Sequence, residues 1–167
     1  MIITVYGKPI TQGSKIRTRW SMRDSNGDTL DPWRDNVRSM AIKVVEADTG
    51  FGTDPVNVNI YFTFPRPNAH YGTGKNAGQV KASAPPFPSS HAIGDIDKLV
   101  RACLDALTDA GMWKDDSQVV GLLAIKVWVG SPLALDRPGA VINVTPLLVP
   151  AADVPAGAAR DAREAAS

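Results

Sequence analysis

A chain of 167 residues, 44% of them hydrophobic, is long enough to bury a full core as one unit. Its formal net charge of +1 neither argues for nor excludes a nucleic-acid partner. The single cysteine, Cys103, excludes an internal disulfide, and with only His70 and His91 beside it a Cys/His zinc cluster is excluded too.

Ile2 to Tyr6 is β-branched and ends in Gly7-Lys8-Pro9, the pattern of a strand running into a turn. Thr11 to Leu30 is polar, basic and rich in turn residues, with Asn26-Gly27 the strongest turn signal, and reads as a loop or loose hairpin. Asp31-Pro32 then supplies an N-cap acid and a proline at the first helical position. Trp33, Val37, Met40, Ala41, Val44 and Val45 carry helical spacing to about Ala47. Val56, Val58, Ile60, Phe62 and Phe64 alternate with other positions, the clearest half-buried strand of the chain.

Arg66 to Gly94 has no periodicity and many Pro, Gly and Ser residues. A loop this long inside a compact domain is functional or disordered. It contains no acid, and neither does the chain before Asp24. Lys8, Lys15, Arg17 and Arg19 in the first region and Arg66, Lys75 and Lys81 in the second are therefore candidates for phosphate contacts. A solvated loop surface would have the same composition. The expectation here is a mobile segment that orders on DNA.

Asp95 to Val120 organises the rest. Asp95 and Asp97 stand two residues apart, followed by Ile96, Leu99, Val100, Cys103, Leu104 and Leu107 at the spacings of one apolar helix face. Gly111 ends the helix, and Asp115-Asp116 precedes an apolar strand from Gln118 to Val129. Residues two apart share a face only in extended chain, so Asp95 and Asp97 converge only if the helix begins at or after Asp97. Like charges about 4 Å apart repel by roughly 4 kcal/mol at an effective dielectric near 20, a penalty that a divalent cation removes. An all-oxygen set formed by Asp95, Asp97 and Asp116 suits Mg²⁺ or Mn²⁺. Spacing alone fits equally a helix N-cap followed by an ordinary turn.

These motifs are similar to something specific. Asp95-Ile96-Asp97-Lys98-Leu99-Val100-Arg101, Leu104-Asp105-Ala106-Leu107 and Trp113-Lys114-Asp115-Asp116-Ser117-Gln118-Val119 together resemble the RusA family of Holliday-junction resolvases. Gly7-Lys8-Pro9-Ile10-Thr11-Gln12-Gly13 is similar to that family's opening loop, and the resemblance spans roughly residues 2 to 147. It implies a Mg²⁺-dependent endodeoxyribonuclease with Asp95, Asp97 and Asp116 as metal ligands, acting as a homodimer on four-way junctions. It selects Asp116 over Asp115, and implies paired cuts leaving 5′-phosphate and 3′-hydroxyl ends. Arg101 stands where the family pattern has a catalytic lysine, and Lys98, a further candidate for DNA contact, where it usually has asparagine. Arg101 could equally pair with Asp97 or Asp105 at helical i,i+4 spacing.

Ala140 to Leu148 reads as a last strand, and residues 149–167 as an Ala-rich disordered tail without large apolar groups. The expected architecture is one α/β (α+β) domain, residues 1–148, with a mixed sheet and helices packed on one face. No apolar run approaches the roughly 20 residues of a membrane span and no basic-then-apolar leader is present, so the expected compartment is cytoplasmic, a host's if phage-encoded. A non-catalytic branched-DNA-binding protein, a nuclease nicking flaps or forks, and a Ca²⁺-binding scaffold are the rival functions.

Overall fold

The computed structural model describes residues 1–13, 15–17, 22–24 and 26–147; for 15–17 and 22–24 it describes the backbone alone. Arg19 and the tail expected at 149–167 lie outside the described residues, as do the side chains of Lys15 and Arg17.

Strand β1 (Ile2–Tyr6) leads to a small antiparallel hairpin, β2 (Lys15–Arg17) and β3 (Met22–Asp24). Helix α1 (Gly27–Asp48), β4 (Val56–Phe64), α2 (Ile96–Asp109), β5 (Val119–Trp128) and β6 (Gly139–Pro146) follow. The main sheet is mixed, in the order β1-β6-β4-β5: β4 runs parallel to β5 and antiparallel to β6, and β6 antiparallel to β1. In β4 the alternation does what its pattern requires. Val56, Val58, Ile60 and Phe62 are fully buried while Asn57, Asn59 and Tyr61 are half-buried. One sheet face therefore carries the core, and α1 and α2, packed on each other and on β1 and β5, cover it. Trp33 and Val37 of α1 meet Leu99, Cys103 and Leu107 of α2 in that core. The chain is thus a single small α+β domain with two helices on one sheet face. Among the described residues no helix is long and apolar enough to cross a membrane.

Helix α1 begins one turn earlier than Asp31-Pro32 suggests. Asn26, read as a turn residue, is instead the N-cap: its carbonyl accepts from the Thr29 and Leu30 amides at 3.0 Å, and its Nδ2 donates to Thr11 O at 2.8 Å. Leu30 is fully buried, and that burial recruits the extra turn despite Pro32 inside the helix. Cys103 is a packing residue; burial pushes its thiol up to about 12, which leaves it protonated and unreactive at neutral pH.

The segment 66–94 carries local structure that its lack of periodicity does not announce. It contains three short 3₁₀ turns, at Asn68–His70, Gly74–Asn76 and His91–Ile93, and a bridge between Tyr71 and Val80. Its anchor is Trp128 at the end of β5, which is 2% exposed. The indole Nε1 donates to Pro85 O at 3.0 Å, the His70 ring meets it edge-on at 5.4 Å, and the Arg66 guanidinium lies over it at 5.3 Å.

Candidate active site

A groove of about 580 Å³ runs between α2 and the edge strand β5. Ile96, Asp97, Val100, Arg101 and Leu104 line it from the helix, Leu122 and Ala124 from the strand, and Asp116 from the turn between them. Ile96 and Leu104 belong by spacing to the apolar stripe, yet they face this groove, so the stripe of α2 is wider than the core it serves. Asp97 and Arg101, one helical turn apart, present opposite charges to the same opening.

The helix starts at Ile96, with Asp95 as its extended N-cap residue. Asp97 is therefore already helical, and the extended pairing of Asp95 with Asp97 does not occur. The Asp95 carboxylate accepts instead from Lys98 Nζ at 2.8 Å. That hydrogen bond and charge hold Asp95 below the usual carboxylate range and raise Lys98 in return. Nearby backbone is fixed from two sides. Gln12 N donates to Lys98 O at 3.0 Å, and Lys126 Nζ to Gly94 O at 2.9 Å. Gly94 has φ +86, and a side chain there would collide with Thr11.

Asp115 and Asp116 divide their work. Asp115 caps a 3₁₀ turn, its Oδ1 accepting from Ser117 N at 2.9 Å, and hydrogen bonding from the Ser117 side chain and then from this amide lowers its pKa. Asp116 is left to face the groove. Gln118 locks this turn in place: its Oε1 accepts from the amides of Lys114 and Asp115 at 2.9 and 3.0 Å, and its Nε2 donates to the carbonyls of Gly52 and Asp54 at 3.0 Å. The role of Gln118 escaped the reading of the sequence, although Asp-x-x-Gln is a capping-box signature. Gln118→Ala should destabilise the domain by about 1–3 kcal/mol, the net worth of a few hydrogen bonds at the surface. It should also lower activity more than stability, because Asp116 loses its frame. Wild-type activity and melting temperature in this variant would refute the positioning role.

Among the described residues, no three His, Cys, Asp or Glu side chains come together closely enough to hold an ion. The donors still fit a hard divalent cation. Mg²⁺ is commonly held by one or two carboxylates with water and phosphate oxygens completing the shell, and Asp97 and Asp116 open on one groove.

A protein-family model described as Endodeoxyribonuclease RusA matches residues 7–137, well over half of the chain. The chain belongs to the RusA family. That family comprises endodeoxyribonucleases acting in Holliday-junction resolution, and the matched span contains the entire groove. Among curated proteins none matches the chain.

Seen as a RusA-family site, the groove lacks one contact that helical spacing allows. Arg101 makes no ion pair within 4 Å to Asp97 or Asp105 among the described residues; Asp105 lies 3.9 Å from Arg34 instead. Arg101 is exposed at the opening. Other cations read as phosphate contacts are already employed: Arg66 donates to Pro85 O at 3.2 Å, and Lys81 to Ala69 O at 2.9 Å, both bracing the folded segment. Lys8 and Lys75 are exposed.

Proposed function

We propose that this RusA-family chain is a divalent-metal-dependent resolvase that cuts four-way DNA junctions by paired, symmetric phosphodiester hydrolysis. The observation that carries the reading is Asp97, Arg101 and Asp116 opening on one groove. Asp97 and Asp116, with Asp95 once Lys98 releases it, would hold Mg²⁺ or Mn²⁺. When bound, the ion would stabilise charge on the scissile phosphate and acidify water beside it. Arg101 binds a non-bridging phosphate oxygen; a guanidinium stays protonated near neutral pH, so it supports charge and moves no proton. Lys98 passes from Asp95 to the incoming phosphate backbone, and the exposed Lys8 and Lys75 extend the cationic approach.

A four-way junction is two-fold symmetric, and a C₂ homodimer is the simplest way to present two such grooves to it. Support for its location comes from β5, an edge strand with Val120, Leu122 and Leu123 exposed. The ion pair between Asp95 and Lys98 favours one alternative, a branched-DNA-binding protein that does not cut.

Both readings meet in one assay. With Mg²⁺ and a supercoiled cruciform plasmid, paired cutting yields linear product directly, and omission of the metal abolishes it. Nicked circles as the main product, with a monomeric mass in solution, would reject the dimeric resolvase in favour of a branch-nicking enzyme. Tight junction binding without cutting in any divalent metal would establish the non-catalytic alternative.

A further inference from the structure

The segment 85–94 leaves and returns to one short stretch of β5. Pro85 O is held by Trp128 Nε1 at 3.0 Å and Gly94 O by Lys126 Nζ at 2.9 Å. Trp128 and Lys126 are two residues apart on one strand, so their side chains share a sheet face and their Cα atoms are about 7 Å apart. The strap is therefore a loop closed at its base. Asp95 follows directly from one foot, and Phe87 stands two residues beyond the other.

Phe87 lies in Pro85-Pro86-Phe87-Pro88. Each proline fixes its own φ, and Pro88 restricts the backbone of Phe87 as well. Pro88 is buried, whereas Phe87 is 57% exposed. A single exposed apolar side chain is ordinary on a protein surface. This one differs in being presented on a stiff, doubly anchored support, in a stretch whose only charged residues are cations from Pro55 to Gly94. An aromatic ring on a Pro-restricted support, in a segment that carries cations and no acid, suits a nucleobase, whose π-face stacks and whose phosphates are attracted.

We infer that Phe87 is a base-stacking residue, which takes an unstacked base at the branch point of the DNA. Junctions, unlike uninterrupted duplex, offer such a base at little cost, so this contact makes the site selective for branched substrate. Because the support is already rigid, little conformational entropy is lost on binding. The inference rests on the resolvase reading above.

The test uses the full chain in EDTA with a four-way junction carrying 2-aminopurine at the branch, and a matched duplex as control. Wild type should change the 2-aminopurine fluorescence on binding. Phe87→Ala should abolish that change and weaken junction affinity roughly tenfold or more, the usual cost of losing one aromatic stack, with duplex affinity unaltered. Phe87→Trp should restore both signals. An unchanged melting temperature for Phe87→Ala is expected from the exposure of the ring. Equal junction affinity and fluorescence for Phe87→Ala and wild type would overturn the inference alone. A fall in oligomeric mass in Phe87→Ala without DNA would also overturn it, assigning the ring to a protein contact. Failure of wild type itself to bind the junction in EDTA, or to cut it once Mg²⁺ is added, would instead overturn the resolvase reading, and this inference with it.

Discussion

Asp97→Asn and Asp116→Asn should each reduce junction cutting by roughly 10²–10³-fold or more, the scale seen when a preorganised electrostatic contact to the transition state is lost. Junction binding without metal should hold or tighten. Both carboxylates face the groove that would receive a phosphate, and at neutral pH they repel it; at contact distance that repulsion is about 1–4 kcal/mol for dielectrics between water and a protein surface. Removing one charge therefore eases DNA approach while it removes an oxygen ligand. The neighbouring Asp115→Asn is the informative control. Asp115 caps the turn and does not line the groove, so its variant should lose some thermal stability and keep most of its cutting. Cutting assays over a Mg²⁺ series, with gel-shift binding in EDTA, separate these outcomes. Wild-type cutting by either groove variant would sink the ligand assignment, and equal loss in all three would point to a collapsed turn.

How much of this was legible beforehand follows from which forces are periodic. Strands β1, β4 and β6 and the core face of α2 leave regular apolar patterns, because one face of each is buried against the same layer, and β5 is legible as an apolar run. The groove residues were legible through motif similarity more than through spacing. Spacing alone let Asp95 and Asp97 converge only if the helix began at or after Asp97, whereas it begins at Ile96 and turns Asp97 away. At α1 the local signals place a turn at Asn26-Gly27 and the helix start at Asp31-Pro32, whereas the helix starts at Gly27. The decision belongs to Leu30, whose burial depends on a core that no local window contains. The folding of 66–94 was not legible at all. Its order comes from single contacts between residues remote in sequence, such as Pro85 with Trp128, and isolated contacts have no period.

That dependence on one indole gives the largest expected structural effect. Trp128→Ala should destabilise the domain by about 3–5 kcal/mol, the usual range for truncating a buried large aromatic. For a domain of this size each kcal/mol corresponds to about 2–4 °C, so the melting temperature should fall by roughly 10 °C. The loss should also be uneven. Of the segment 66–94, Ile93 is the hydrophobic residue packed against the core of Phe62, Ile60 and Leu99, whereas Pro85, His70 and Arg66 all lose their common partner at once. Limited proteolysis well below the melting temperature should accordingly cut within 66–94 first. Trp128→Phe keeps an aromatic body for His70 and Arg66 but cannot donate to Pro85, so it should cost only about 1 kcal/mol more than its change in volume. Its strap should loosen at the Pro85 foot, where Arg66 is left as the remaining donor, while Lys126 still holds Gly94. Junction binding in the Phe variant should then fall toward that of Phe87→Ala, with Asp97, Arg101 and Asp116 undisturbed. A Trp128→Ala protein with a near-native melting temperature and no new cleavage in 66–94 would show that the segment is held by something other than this ring.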